Sequence, residues 1–510
     1  MTDSKLSRRD FGGLLGAGSL AIAMPGWLAG CAMSPSSGAS HDGLSRSRPQ
    51  DQGADPQAIL NFLDDVRELE LHSFMLARHG NVIAEGWWWP YRADRPHMMH
   101  SLTKSVAVCG VGLAVEEGRF KLDDKVISFF PDELPPKVDD KLAAMTVGDL
   151  LTMRTGHAEE ISGSVWRQIR TSWVAEFFKV PVVHQPGTAF VYTSAASFML
   201  SAIITKTTGE KLRDYLEPRL FAPLGITGLQ WDVGPGGINP GGNGLSWTTA
   251  DSLKLGILYA QLGRWNGRQV LSEQWVRAAT KDQVPGEYGY QWWMGPTKSY
   301  YALGLFTQLS IVFPEHDAVL ATTSAIDGSK HLLPLVWKHF PAAFGATRPN
   351  VPASAALHER TAKLRLLPPF VPKSSPLAAK ISGRTFTLES NVDGVKNVRL
   401  DFTTDRCVFK LSDARGEHEV ANGIRDWLEG DTSMTGNELH HQYQPDRMRV
   451  VAGARWLDDR TLEMTWQFVE TAFRDRVVCR FDGERIALDR SVNVNSAATS
   501  RPTLLGTMAG

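Results

Sequence analysis

Ser101-Leu102-Thr103-Lys104-Ser105-Val106-Ala107-Val108-Cys109-Gly110-Val111-Gly112-Leu113-Ala114 is the stretch on which the reading of this chain turns. From Ser101 to Glu117 it is apolar on almost every side, the pattern of a helix enclosed by other elements. It opens with the only Ser-x-x-Lys in the sequence. Residues i and i+3 of a helix share a face, so the Ser101 hydroxyl and the Lys104 amine come within reach of each other. A serine hydroxyl becomes an effective nucleophile when a neighbouring base takes its proton. Burial lowers a lysine pKa, and the positive end of a helix starting near Ser101 adds to that effect, so Lys104 is a candidate base. Backbone N–H groups at the same helix end are candidates to stabilise an oxyanion. The competing reading is a capping serine beside a solvated lysine.

Further along, Pro186-Gly187-Thr188-Ala189-Phe190-Val191-Tyr192-Thr193-Ser194 sets a tyrosine behind a Pro-Gly turn. A phenol both donates and accepts, so Tyr192 can share a proton with Lys104. The alternative is a core tyrosine whose hydroxyl finds an ordinary partner. Apolar spacing from Ile59 to Leu71 predicts a helix. Phe74–Arg78 and Val82–Trp89, joined by His79-Gly80-Asn81, predict a hairpin. The β pattern returns at Tyr288–Met294, Tyr300–Phe313 and Ala318–Ser324, and a helix is predicted from Leu332 to Phe344. Strands at both ends with helices between imply a mixed α/β (α+β) domain over 57–346. Its single antiparallel sheet is assembled from distant segments and flanked by helices.

Prolines crowd residues 347–380, a composition shift that reads as a linker. Beyond it, short β runs punctuated by Asp393-Gly394, Leu457-Asp458-Asp459 and Asp482-Gly483 suggest about eight strands in an all-β barrel or sandwich over 381–495, with 496–510 as a tail. His440-His441 falls in a loop-like stretch without ligand partners at zinc spacing and reads as a surface pair. No metal and no cofactor is expected. The balance of 54 Lys+Arg against 55 Asp+Glu, a net charge of −1, argues against a nucleic-acid partner. Four cysteines in 510 residues exclude a disulfide scaffold.

These segments together resemble the serine β-lactamase and penicillin-binding-protein superfamily, in particular its class C, esterase and 6-aminohexanoate-dimer-hydrolase branch. Asp149-Leu150-Leu151-Thr152-Met153-Arg154-Thr155-Gly156, Gly244-Leu245-Ser246-Trp247-Thr248-Thr249-Ala250-Asp251 and Tyr288-Gly289-Tyr290-Gln291-Trp292-Trp293 match further family stretches in family order. The resemblance implies a β-lactamase-like fold, with Ser101 the acylated nucleophile, Lys104 the base and Tyr192 the proton relay. Two positions depart from the family. Its Tyr-x-Asn is Tyr192-Thr193-Ser194 here, so Ser194 replaces a substrate-holding amide. Its Lys-Thr-Gly or His-x-Gly strand is Ala302-Leu303-Gly304, without the cation that grips a carboxylate. That loss is worth about 1.5–3 kcal/mol. Gly304 still allows close approach of the backbone, and the resemblance places the Leu305 N–H beside that of Ser101 in the oxyanion hole. The implied activity is hydrolysis of a small-molecule ester or amide, with β-lactams poor substrates. A D-amino-acid amidase or peptidase, with Arg154 or Arg167 supplying the missing cation, is the nearest alternative. A non-catalytic or slowly deacylating sensor of cell-wall fragments is the other.

At the N-terminus, Arg8-Arg9 followed by an apolar stretch to Gly30 reads as a twin-arginine signal peptide over 1–31. Leu28-Ala29-Gly30-Cys31 resembles a lipobox, which makes Cys31 the lipidated residue. Residues 32–56 are Ser-, Gly- and Pro-rich and read as a flexible tether. The chain is thus expected on the periplasmic side of the envelope, lipid-anchored to the outer membrane. Cys407 and Cys479 both fall in expected strands of the last domain, where export allows a disulfide between them.

Overall fold

The computed structural model describes residues 42–162, 165–345 and 350–509. The signal segment, Cys31 and the first part of the tether lie outside the described residues. Six antiparallel strands form the first sheet: β1 (Leu71–Arg78), β2 (Asn81–Trp87), β3 (Trp293–Met294), β4 (Tyr300–Gly304), β5 (Gln308–Phe313) and β6 (Ala318–Ser324). Their order is β2-β1-β6-β5-β4-β3, so strands more than 200 residues apart in sequence lie side by side. Met75 of β1, for instance, sits between Glu85 and Ala321. The expected strand at 288–294 is reduced to Trp293–Met294, because Gln291 takes φ +60° and breaks the extended run.

Alternation along β1 explains the layering. Phe74 and Leu76 join one core with Ile59 and Phe62 of α1 (Pro56–Asp65), while Met75 and Ala77 join the core on the opposite face. The second core contains α2 (Thr103–Glu116), α3 (Ser194–Thr208) and α4 (Thr249–Ala260). On the first face α5 (Leu333–Ala343) and α6 (Val351–Ala362) complete the cover. Each fully buried Leu, Phe or Met contributes about 1.5–3 kcal/mol of transfer free energy. Residues 42–56, taken as the end of a tether, are packed down: Arg46 bonds Asp42 and Glu85, and Asp55 N donates to Ala343 O at 2.9 Å. The Pro-rich linker contains α6, whose Leu357 is buried beneath it.

The second domain holds ten strands: β7 (Thr385–Leu388), β8 (Asn397–Phe402), β9 (Arg406–Asp413), β10 (Gly416–Gly423), β11 (Leu428–Thr432), β12 (Met448–Trp456), β13 (Thr461–Phe468), β14 (Arg474–Asp482), β15 (Arg485–Val492) and β16 (Leu504–Met508). The order β10-β9-β8-β7-β16-β15-β14-β13-β12 closes through a Gly423–Gly453 bridge into a nine-strand barrel, with β11 on the far side of β12. Closure leaves few free edges, and inward residues such as Phe386, Leu400, Phe409 and Trp466 fill the interior. The segment read as a tail therefore supplies β16, pairing with both β7 and β15. Cys407 and Cys479 are free buried thiols rather than a disulfide. They sit on β9 and β14, which are not neighbours in the barrel. His440 is also not at the surface. It is 0% exposed, donates from Nε2 to Asp475 at 2.6 Å and stacks on Phe473.

The barrel docks beside the start of α2. Arg474 donates twice to Glu70 at 2.8 and 3.0 Å, and the Tyr91 hydroxyl donates to Thr471 O at 2.8 Å. Phe306, in the β4–β5 turn, is only 2% exposed because it is inserted among barrel residues.

Candidate active site

A short 3-10 turn, His100–Leu102, runs directly into α2 and sets Ser101 at the helix mouth, half-buried. One helical turn on, Lys104 is 1% exposed. Its Nζ lies 3.0 Å from Ser101 Oγ, 3.0 Å from Ser194 Oγ and 2.9 Å from Gly242 O. Among the described residues no carboxylate pairs with it within 4.0 Å. Burial lowers its pKa from 10.5 to about 7, with Glu160 opposing at longer range. The amine is thus poised to exist uncharged near neutral pH, the state in which it has a lone pair to offer.

Tyr192 reaches the same place from the N-terminal end of α3. Thr193 caps that helix, accepting from Ala195 N at 3.3 Å, and also donates to Ile161 O at 2.7 Å. Upstream, Val191 N donates to Met153 O at 2.9 Å and Gly187 N to Arg154 O at 2.8 Å, which ties the Pro-Gly turn to the stretch around Met153. The Tyr192 ring is stacked on Trp293 and lies 4.8 Å below Lys104 Nζ. Burial holds the phenol above its ordinary pKa, with the Ser101 hydroxyl pulling the other way. A phenol pushed upward does not ionise at neutral pH, so of the two groups Lys104 is the one able to accept a proton there.

Several contributors were not legible in the sequence. Gly242 is one: a Cβ there would lie 2.9 Å from Ser194 O, so only glycine lets this loop close on α3 and present its carbonyl to Lys104. The glycine-rich run Pro240-Gly241-Gly242-Asn243-Gly244 was the available signal. Gln291 is another. It accepts from Ser197 Oγ at 2.5 Å, donates to Leu151 O at 2.9 Å, and its own carbonyl accepts from Ser105 Oγ at 2.6 Å. This buried amide links α2, α3, the 147–151 helix and the strand region in one network.

Gly304 ends β4 against the nucleophile turn, where a Cβ would come 2.1 Å from Met99 O. In the following turn Phe306 and Thr307 both adopt positive φ, +58° and +67°. That conformation is costly for non-glycine residues. It is held by Gln308 Nε2, which donates to Leu305 O, Phe306 O and Ser324 O, and by Ser324 Oγ donating to Phe306 O at 2.7 Å. The Phe306 ring stands edge-on to His100, the residue before the nucleophile, and also to His441 and Phe473 of the barrel. Of the two arginines considered, Arg154 is occupied with Thr152, whereas Arg167 lies at the barrel boundary and its charge is felt at His100. Leu305 is half-buried against the barrel core.

The chain is similar to known proteins in sequence and in fold. The profile of the family described as Beta-lactamase matches residues 72–335. An uncharacterized Mycobacterium tuberculosis protein is 26% identical over 264 residues, 40% of this chain; the match spans 65% of that relative, just under two thirds of its length. The 6-aminohexanoate-dimer hydrolase of Paenarthrobacter ureafaciens is 26% identical over 50% of this chain and 72% of its own. The lovastatin esterase of Penicillium rubens is 27% identical over 28% of this chain and 41% of its own. Among solved structures, a Bacillus anthracis protein named for 6-aminohexanoate-dimer hydrolysis superposes with a TM-score of 0.50 at 17% identity, covering 59% of this chain and 86% of the other.

Proposed function

The chain belongs to the beta-lactamase family and is similar to proteins named 6-aminohexanoate-dimer hydrolase and lovastatin esterase, and from that premise we propose an exported serine hydrolase that cleaves esters or amides through an acyl-enzyme on Ser101. The observation that carries the reading is the buried Lys104 amine, 3.0 Å from Ser101 Oγ and without a counter-ion among the described residues.

A neutral amine has two N–H bonds and one lone pair. Gly242 O can only accept, and Ser194 Oγ can accept, so the two N–H groups go there. The lone pair is left for the Ser101 O–H. As Ser101 Oγ attacks the carbonyl carbon, its proton passes directly to Lys104, and Tyr192, beside both groups, relays it onward toward the leaving group. The oxyanion is stabilised by the Ser101 and Leu305 N–H groups. The tetrahedral species collapses, the leaving alkoxide or amine takes the proton, and Lys104 returns neutral. Water then delivers a proton to the same base and attacks the acyl carbon, releasing the acid and restoring the Ser101 hydroxyl. Ser194, accepting from Lys104, keeps its own O–H to donate toward the bound acyl group.

Ala302-Leu303-Gly304 offers no cation on the strand edge, which favours neutral esters over β-lactams. We expect 4-nitrophenyl butyrate to be hydrolysed at least about 10-fold faster, by kcat/KM, than a chromogenic cephalosporin, the size of a lost charge-assisted hydrogen bond. Cephalosporin turnover equal to ester turnover would overturn this preference. The D-amino-acid amidase reading predicts instead that D-alanyl amides outrun both. Assayed on fractionated cells making the full chain, the activity should follow the membranes, and Cys31→Ser should release it; activity that is soluble from the outset argues against the lipid anchor.

The position of Leu305 depends on Phe306, which is keyed into the barrel. Phe306→Leu retains most of the side-chain volume and should fold normally, yet lower kcat about 10-fold with KM little changed, since a small misplacement of a transition-state donor costs rate rather than binding. Phe306→Ala adds a cavity costing about 3–5 kcal/mol and should lower Tm as well. An unchanged kcat in Phe306→Leu would separate the barrel from the chemistry.

A further inference from the structure

Asn243 follows the carbonyl that holds Lys104 and opens onto a cleft of about 820 Å³. One wall comes from the first domain, with Arg167, Asp232 and Asn243; the other is the barrel loop carrying Asn437, Gln442 and Tyr443. The two walls are bonded together. Arg167 Nη1 donates to His441 O at 3.1 Å, its guanidinium lies 5.8 Å over the Tyr443 ring, and the Gln168 amide donates to Gln442.

Arg167 is therefore held in place but not neutralised. Among the described residues no carboxylate lies within 4.0 Å of its guanidinium. Asp232, on the same wall, acts on it only at longer range. The charged side chains lining the cleft are Arg167, Arg170 and Asp232, a balance of two positive to one negative. A guanidinium held by the domain boundary, with free donors and no direct counter-ion, is pre-organised to receive an anion, and its planar fork matches a carboxylate. The amide side chains around it supply further donors and acceptors to a polar chain.

We propose that this cleft is a carboxylate-binding subsite built jointly by the two domains, in which Arg167 takes the carboxylate at the distal end of an ester or amide cleaved at Ser101. This rests on the hydrolase reading above and names its substrate class. It also gives the barrel a part in recognition, because the loop bearing His441 and Tyr443 is what fixes Arg167.

The test uses matched esters on the whole protein. Mono-4-nitrophenyl suberate is compared with 4-nitrophenyl octanoate, which places the carboxylate on the acyl side. 3-Acetoxybenzoate is compared with phenyl acetate, which places it on the leaving group. In at least one pair the anionic ester should have the higher kcat/KM. Arg167→Gln should lower that value about 10-fold or more while leaving the neutral ester within twofold. Asp232→Asn, which removes the opposing charge, should lower KM for the anionic ester. Suberate binding to the Ser101→Ala protein, followed by calorimetry, should be lost on adding Arg167→Gln, and this readout does not depend on turnover. If Arg167→Gln slows both members of each pair equally, Arg167 only ties the domains together and the subsite is refuted. Absence of discrimination by the wild type in both pairs, with no suberate binding, refutes it too. Suberate binding without hydrolysis of any ester would instead overturn the hydrolase reading and leave the subsite standing.

Discussion

Lys104→Met lowers kcat/KM for the best ester by about 10²–10⁴-fold, the range expected when a positioned general base is removed. Methionine matches the length of the lysine stem and fills the same buried space, so folding should be retained. The fully buried amine loses three hydrogen-bond partners on substitution, and none of them is a charge. The wild type should also show the base in its pH profile. Burial disfavours the ammonium form and brings the Lys104 pKa down to about 7. Below that value the amine is protonated and cannot accept from Ser101; above it the lone pair is free. The ascending limb of log(kcat/KM) should therefore have its midpoint near pH 7, well below the ordinary lysine value, and Lys104→Met should lack that limb. A midpoint near 10 would mean that the amine is solvated in the working enzyme.

Ser101→Ala should be more damaging still. Nucleophile and base act as a unit, and loss of the attacking atom removes the covalent route altogether. Initial rates with the same ester should fall at least about 10⁴-fold, with the residue attributable to the oxyanion donors alone. Stability should change little, because Ser101 is half-buried and its hydroxyl is bonded to a lysine that keeps two other partners. A mutant retaining a tenth of the wild-type rate would move the nucleophile elsewhere.

What the sequence disclosed about this molecule was the part written locally. A Ser-x-x-Lys at the head of an apolar helix, a tyrosine behind a Pro-Gly turn and alternating strands all carry their signal within ten or fifteen residues. The structure sets Lys104 within hydrogen-bond reach of Ser101 and Ser194, and the Tyr192 ring 4.8 Å from its amine. The contributions that were missed are contacts between distant segments. Gln291 sits in a stretch that matches the family, yet that it joins residues 105, 151 and 197 emerges only once the chain is folded. Phe306 reads as an ordinary strand residue, yet it is buried by a domain whose contributing rings, His441 and Phe473, lie far along the chain. His440 departs from the expected surface position for the same reason: Asp475, 35 residues on, satisfies it and permits its burial. The disulfide expectation for Cys407 and Cys479 failed because strand spacing does not reveal barrel order.

The most direct test of an uncharged Lys104 activating Ser101 is covalent labelling with an alkyl fluorophosphonate, followed by intact-mass analysis. The wild type should gain one adduct, mapped to Ser101, at a rate that rises through a midpoint near pH 7, and Ser101→Ala should gain none. An unlabelled wild type, or an equal adduct on Ser101→Ala, would contradict the account and favour a binding protein built on a hydrolase fold.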